Sequence, residues 1–205
     1  MRNTRVSASA FTGFLALGLV VLAPAMSTAD EAKKVPTPAE LMEALRSKAT
    51  RAVGAPLPKE EIERRALIAK LKAKATRGLS MPERQVLAKA VGNQPNVDLE
   101  VFFEFNSAEI KPDAEPSLRS LGEALKGASS DFLVAGHTDA KGKANYNQSL
   151  SERRAVAIRD DLMAYYAIPA DRLMAVGYGR EQLKNKDDPT AAENRRVQIV
   201  NMADK

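Results

Sequence analysis

The stretch Gly136-His137-Thr138-Asp139-Ala140-Lys141-Gly142 follows the apolar run Phe132-Leu133-Val134-Ala135 and precedes Asn147-Gln148-Ser149-Leu150-Ser151-Glu152-Arg153-Arg154-Ala155. The apolar run reads as a short strand, and the glycines around Asp139 read as a turn. Ser149 or Ser151 is the expected cap of the next helix, with Ala155, Ile158, Leu162 and Met163 inward. Arg154 then falls fifteen residues after Asp139, one turn into that helix. A strand end and a helix start are elements that a fold holds at fixed distance. An Asp and an Arg held that way can grip a zwitterion, the carboxylate taking an ammonium and the guanidinium a carboxylate. A third fragment, Asn194-Arg195-Arg196-Val197-Gln198-Ile199-Val200, reads as a strand entered through a basic pair. The three fragments point to a chain that holds a small charged ligand rather than transforms one.

Working outward, residues 97–105 alternate apolar and acidic and then turn doubly apolar, which is a strand signature. Lys111-Pro112-Asp113 opens a helix with Leu118, Leu121 and Leu125 on one face, and residues 131–138 are the second strand. Pro169-Ala170-Asp171 leads to a third strand over residues 172–176, ended by Gly177-Tyr178-Gly179. A polar loop spans 181–192, and 196–201 is a fourth strand. The order βαβαββ predicts an α+β domain over residues 96–205, a mixed sheet with helices on one face.

Residues 30–95 differ in kind. The stretch 31–95 carries fourteen Lys and Arg against seven Asp and Glu, whereas 96–205 carries fifteen against eighteen. A split of +7 and −3 suggests two units with different partners. Thr37-Pro38-Ala39-Glu40 opens one helix, with Leu41, Leu45 and Ala49 at four-residue spacing, until Gly54-Ala55-Pro56-Leu57-Pro58 breaks it. A second helix is predicted over residues 59–75 with Ile62, Ala66 and Leu67 on one side, and Ser80-Met81-Pro82-Glu83 caps a third. Leu41-x3-Leu45-x2-Lys48-Ala49-Thr50-Arg51 recurs as Leu67-x3-Leu71-x2-Lys74-Ala75-Thr76-Arg77, but two copies are too few for a solenoid. Large hydrophobes are few, so this segment is not expected to build a core of its own. It is a linker, or helices that order on a partner. No aromatics interleave its charges, which argues against nucleic acid as that partner.

Residues 1–29 have the three parts of a secretory signal: the basic start Met1-Arg2-Asn3-Thr4-Arg5, an apolar run over 11–25, and the small residues Ser27-Thr28-Ala29 before an expected cleavage. The run holds Gly13, Gly18 and Pro24 and falls short of the ~20 residues of a spanning helix. The chain has no cysteine and one histidine, which excludes disulfides, thiolate metal sites and multi-histidine metal sites.

Five fragments together, Phe105-Asn106-Ser107-Ala108-Glu109-Ile110, Gly136-His137-Thr138-Asp139-x2-Gly142, Asn147-x2-Leu150-Ser151-x2-Arg154-Ala155, Gly177-Tyr178-Gly179 and Asn194-Arg195-Arg196-Val197, resemble the OmpA C-terminal-like domain family over about residues 97–202. That family includes the peptidoglycan-associated lipoprotein and the flagellar stator protein MotB. The resemblance implies a non-catalytic binder of peptidoglycan without a cofactor, in the periplasm and associated with the outer membrane. Its ligand would be the stem peptide, chiefly diaminopimelate. By matched position, Asp139 would take the diaminopimelate ammonium and Arg154 its carboxylate. Asn106, Asn147 and Arg195 would line the same pocket. One departure is Lys141, two residues after Asp139, where some members carry a small hydroxyl residue; with Lys143 it is expected to point to solvent.

The same residues admit other roles. Asp139 could cap its own turn, Arg154 could pair with Asp139 in the empty state, Asn106 could shape its turn, and Asn147 lies one step from the expected helix cap. His137 is expected to pack in the core, as are Tyr146, Tyr165, Tyr166 and Tyr178, while Glu152 and Arg153 are expected to face solvent. A tether to the wall needs a second attachment, and residues 31–95 are the expected place for it, through an envelope protein or an anionic surface. A MotB-type stator is the alternative, but it needs a spanning helix with a proton-accepting acid, and residues 11–25 contain none. A wall hydrolase would need a metal site, a Cys–His pair or two positioned carboxylates, and Asp139 with Glu104 or Glu109 is the sole carboxylate pairing the strand ends offer.

Overall fold

The apolar runs of the central strands decide the architecture. Phe132-Leu133-Val134-Ala135 and Leu173-Met174-Ala175-Val176 put hydrophobes on both faces of a strand, because side chains alternate. Strands apolar on both faces need both faces covered. In the computed structural model, which describes residues 35–46, 56–76, 78–99, 103–104 and 106–203, both are. The expected signal peptide, Ala49, part of the repeat and residues 100–102 and 105 of the first predicted strand lie outside the described residues.

The elements are helices α1 (Pro38–Leu45), α2 (Lys59–Ala75) and α3 (Met81–Val91), strand β1 (Asn96–Leu99), helix α4 (Glu115–Lys126), strand β2 (Asp131–His137), helix α5 (Ala144–Tyr166), and strands β3 (Leu173–Gly179) and β4 (Val197–Ala203). The sheet order is β1-β4-β2-β3, with β2 and β3 parallel and both other pairings antiparallel. The βαβαββ order and the mixed sheet match the expectation from sequence. Among the described residues no helix is long and apolar enough to cross a membrane.

Helices α1, α4 and α5 cover one face. Leu41, Leu45, Leu118, Leu121, Leu125, Ile158 and Leu162 meet Phe132, Val134, Leu173, Ala175 and Ile199 there. The helices of residues 96–205, α4 and α5, keep to one face as expected, and the other face is covered by the segment that precedes them. Ile68, Leu71, Leu79, Leu87 and Val91, from α2, α3 and the turn between them, cover Leu133, Ala135, Met174, Val176, Tyr178, Val200 and Met202. The boundary expected at residue 95 divides the sequence, while in space residues 35–205 form one compact unit.

Helix α2 also corrects a predicted face. Ile62 is 52% exposed and Ala66 is exposed, whereas Ile68 and Leu71 are buried. The buried side was masked in the sequence because cations flank its two large hydrophobes. Arg64 Nη1 donates to the Met202 carbonyl at 2.8 Å, and Lys72 Nζ lies 2.7 Å from Asp131 Oδ2. Their aliphatic stems cover the sheet while their charged ends find oxygen at its rim. The expected caps are in place: Thr37 and Glu40 form a capping box on α1, and Glu83 accepts the Ser80 N–H at 3.0 Å on α3.

Helix α5 starts at Ala144, five residues before the first cap read from the sequence, so Arg154 sits in its third turn. It lies directly on β2 and β3. A Cβ at Gly136 would stand 2.2 Å from the Ser151 carbonyl oxygen, and one at Gly177 2.3 Å from the Glu152 nitrogen. Side chains of α5 also satisfy the free edge of β3. Gln148 Nε2 donates to the Gly177 carbonyl at 2.7 Å, Glu152 Oε2 accepts the Gly177 N–H at 2.5 Å, and Ser151 Oγ accepts the Gly179 N–H at 2.8 Å. Glu152 therefore does not face solvent as expected. Its half-burial raises its pKa, against the pull of the Gly177 N–H. His137 packs in the core as expected, stacked on Tyr178 with ring centroids 5.5 Å apart, and burial, aided by Arg196, lowers its pKa to about 3.

Two outcomes are expected. Gly136→Ala and Gly177→Ala each lower the unfolding free energy by about 2–3 kcal/mol or more in chemical denaturation, because the added methyl meets backbone and not a movable side chain. His137 binds a proton in the unfolded chain near pH 6.5 and in the folded one near 3. Stability is therefore full above 6.5 and falls as the pH drops toward 3, by up to ~1.4 kcal/mol per unit. Subtracting the pH profile of His137→Phe, which keeps the ring stack, isolates that slope; equal profiles would contradict it.

Candidate functional site

Strand β2 delivers its last residues into a junction held by backbone bonds. The His137 N–H donates to the Arg196 carbonyl at 3.0 Å, Thr138 N–H to Gly179 at 2.8 Å, and Ala140 N–H to Pro189 at 2.9 Å. Asp139 is thereby fixed between the end of β2, the exit of β3 and the loop before β4, and it is 7% exposed. A buried carboxylate needs charge and hydrogen bonds. Asp139 Oδ2 takes Arg195 Nη1 at 2.8 Å, and Oδ1 accepts the Lys141 N–H at 3.0 Å. The turn-capping role and the charged role are thus both present in one side chain. The Lys141 and Lys143 side chains are exposed, as expected.

Asn147 lies in the first turn of α5, not at a cap. It is buried, and its amide nitrogen donates to the Asp139 carbonyl at 3.1 Å and the Lys141 carbonyl at 2.7 Å. Its amide therefore ties the Asp139 turn to the helix. Gly142, at φ +82°, makes the reversal that lets the chain return to Lys143 and enter α5.

Arg154 does not make the ion pair with Asp139 expected for an empty site. The pair is Asp139–Arg195. Two turns beyond Asn147, Arg154 is held elsewhere: its Nε donates to the Ser107 carbonyl at 3.0 Å, and its guanidinium lies 4.8 Å from the Phe103 ring centroid. Among the described residues it makes no ion pair. Burial first, and Arg195 and Arg153 nearby, lower its pKa, while Tyr146 and Asp139 oppose them. Arg154, Arg195 and Asp139 are thus within electrostatic reach of one another, with cations in excess.

Asn106 sits at φ +58°, in the left-handed region that asparagine tolerates, at the tip of a turn closed by Ser107 N–H to Glu104 at 3.1 Å and by a bridge between Phe103 and Ile110. Tyr146 of α5 hydrogen-bonds the Asn106 side chain. Tyr146 is therefore not the packed tyrosine expected, and neither is Tyr165, which is 78% exposed; Tyr178 is buried, and Tyr166 packs its ring over Gly122. Tyr146 is a site residue that sequence reasoning missed. The available signal was its place next to Asn147, on the same helical turn.

The loop before β4 is organised by Asn194, fully buried. Its Oδ1 accepts the Asn185 N–H at 2.9 Å, and its Nδ2 donates to Asn185 and Asp188 carbonyls, each at 3.1 Å. Arg195 and Arg196 then diverge. Arg195 turns to Asp139, and Arg196 reaches Asp98 Oδ1 of β1 at 3.1 Å. Half-burial raises the Asp98 pKa, but Lys184 and Arg196 outweigh it and hold it below the usual range. Asp139, Arg154, Asn147 and Arg195 converge on one end of the sheet, and Asn106 joins them through Tyr146. Among the described residues no group of three or more His, Asp or Glu is placed to hold a metal ion.

Residues 102–196 match the model of the OmpA family. Outer membrane porin F of Pseudomonas aeruginosa is 41% identical over 113 residues, which are 53% of this chain and 32% of that protein. The peptidoglycan-associated lipoprotein of the same organism is 37% identical over 100 residues, 48% of this chain and 59% of that one. The chain thus spans between a third and three fifths of the length of these curated relatives. Among solved structures, the peptidoglycan-associated lipoprotein of Burkholderia pseudomallei is 29% identical at a TM-score of 0.43, covering 49% of this chain and 86% of that one. Residues 102–196 are thus OmpA-like by their match to that family model.

Proposed function

We propose that the protein is a non-catalytic peptidoglycan-binding module of the periplasm, gripping the diaminopimelate of the stem peptide and so tethering the envelope to the wall. The observation that carries this reading is the trio of Asp139, Arg195 and Arg154. A nearly buried carboxylate sits beside a half-buried guanidinium that has no ion-pair partner of its own among the described residues. A diaminopimelate end carries one ammonium and one carboxylate, the complement of that arrangement. The ammonium adds to Asp139, whose two oxygens each keep a lone pair beyond the bonds from Arg195 and Lys141. The carboxylate meets the Nη side of Arg154, whose Nε already holds the Ser107 carbonyl. Arg195 is the mobile partner, with its side chain 47% exposed, and it can share or cede Asp139 as the ligand enters. Asn147 keeps the Asp139 turn in place, and Asn106 and Tyr146 close the far wall.

The named relatives support the reading, since one is a peptidoglycan-associated lipoprotein and another an outer membrane porin. Residues 1–29 are proposed to direct export and to be removed. The second attachment of the tether is proposed to lie in residues 31–95, through an envelope protein or an anionic surface.

The test is sedimentation of the purified protein with insoluble diaminopimelate-type peptidoglycan. Wild type is expected to sediment. Asp139→Ala and Arg154→Ala, each still folded by circular dichroism, are expected to lose at least about tenfold in affinity, because each leaves a desolvated charge unpaired. Lysine-type peptidoglycan, which lacks the end carboxylate, is expected to bind wild type more weakly and to discriminate less between wild type and Arg154→Ala. Failure of wild type to sediment, or wild-type affinity in both variants, would overturn the assignment.

A further inference from the structure

Helix α3 lies outside the family-matched stretch, yet one of its side chains ends on the loop that carries Arg195. Arg84 is 8% exposed, its Nη1 donates to the Leu79 carbonyl at 2.8 Å, and its Nη2 pairs with the Glu181 carboxylate. Glu181 stands at the start of the loop that leaves β3 and returns as Asn194-Arg195. The far end of that loop is fixed by the three hydrogen bonds of Asn194, and its middle by Pro189, whose carbonyl accepts the Ala140 N–H beside Asp139. Its near end carries a backbone bond from the Glu181 N–H to the Tyr178 carbonyl at 2.9 Å and an ion pair of Lys184 with Asp98 at 2.7 Å, and Arg84 is the tie that comes from the helical segment. Arg180 reaches the Ala140 carbonyl only at 3.5 Å, and Arg196 reaches the Gln182 carbonyl only at 3.5 Å. Packing does not replace them, because a cavity of about 220 Å3 lies between α3 and the loop, lined by Ala88, Val91, Tyr178, Gln182 and Leu183. The Arg84–Glu181 pair, with side chains 10% and 21% exposed, is shielded from competing water and salt.

We infer that α3 is a brace for the ligand site: Arg84 holds Glu181, and through it fixes the loop that presents Arg195 to Asp139 and Pro189 to Ala140. Arg84 and Glu181 are positioning residues, and the helical segment sets the affinity of a site to which it contributes no contact. The inference rests on the ligand-binding reading of Asp139 and Arg195 above.

The experiment compares the full chain with Arg84→Glu, Glu181→Arg, the double exchange and Asp139→Ala. Three quantities are read: affinity for a soluble diaminopimelate-containing stem peptide, melting temperature, and hydrogen exchange of the Ala140 amide. Each single exchange is expected to weaken binding about five- to tenfold and to speed exchange at Ala140 at temperatures where the chain stays folded. The double exchange is expected to recover most of both. A helix that merely stabilises the fold would lower the melting temperature and leave affinity and Ala140 protection unchanged well below it. If the single variants bind as wild type does while Asp139→Ala does not bind, the brace is refuted and the site stands. If Asp139→Ala binds as wild type does, the site falls and the brace with it. Should Arg84→Glu fail to fold, Glu181→Gln removes the pair from the loop side without burying a new charge, and the same readouts decide.

Discussion

The contact on which the rest depends is the seating of α5 directly on the backbone of β2 and β3. Gly136 and Gly177 open the space for a single turn of the helix at Ser151 and Glu152. With that clearance, Gln148, Ser151 and Glu152 reach the outer edge of β3 and satisfy backbone groups that would otherwise stand open at a sheet edge. The same seating places Tyr146, Asn147 and Arg154 relative to the exit of β2. Asn147 can bond the carbonyls on either side of the Asp139 turn only because the helix axis stands this close to the strand ends. Geometry that serves the fold also sets the distances between the charges of the site.

Charge plays two separate roles along the chain. The excess of Lys and Arg in residues 31–95 suggests a surface for an external partner, but much of what the structure describes there turns inward. Lys72 pairs with Asp131, Arg84 with Glu181, and Arg64 with the Met202 carbonyl. Asp131 and Glu181, from the acidic stretch 96–205, are the counterparts of that arrangement. Hydrophobic burial by Ile68, Leu71, Leu87 and Val91 holds the helices to the sheet, and the ion pairs fix their register. Charge asymmetry between two halves of a sequence therefore does not separate an external partner from an internal one.

Much of the fold was legible because the strands and helices of residues 96–205 announce themselves by period and Gly-Tyr-Gly ends β3, while capping boxes open α1 and α3. The helices of residues 96–205 keep to one face as read, but the cover that α2 and α3 give the other face was not read, although four consecutive apolar residues in each of β2 and β3 cannot leave a face in water. The face of α2 was hidden for a different reason. A helix that buries two hydrophobes flanked by the stems of Arg64 and Lys72 has almost no periodic contrast, so its exposed Ile62 looked more like a core residue than its buried neighbours. The start of α5 was missed because Lys143 caps it without a side-chain bond, while the serines that follow resemble caps. At the site, residue types and spacing paired Asp139 with Arg154, and the family resemblance added Asn106, Asn147 and Arg195; Asp139, Arg154, Asn147 and Arg195 do lie at one end of the sheet. Which arginine pairs with Asp139 was not legible, since it depends on the path of the 180–194 loop, and that path is set by Asn194 from within and Arg84 from without.

The choice of arginine follows from burial. Asp139 is enclosed by backbone on nearly every side, so its charge must be compensated whether or not a ligand is present. A partner as firmly held as Arg154, tied to Ser107 and Phe103, would compensate it at the cost of a site already closed by its own salt bridge. Arg195, half exposed and emerging from a loop, neutralises the carboxylate from the solvent side, and Arg154 makes no ion pair among the described residues. On the proposed reading, a ligand meets a paired anion behind an accessible arginine and a guanidinium that makes no ion pair among the described residues. On that reading, a zwitterion gives Asp139 its ammonium and Arg154 its carboxylate, and the remaining positive charge rests on Arg195, which is half exposed to solvent; a neutral or purely cationic group leaves Arg154 without an anion. Selectivity of this kind needs no conformational change in β2 or α5, only a loop whose position is maintained from outside the domain's own sequence.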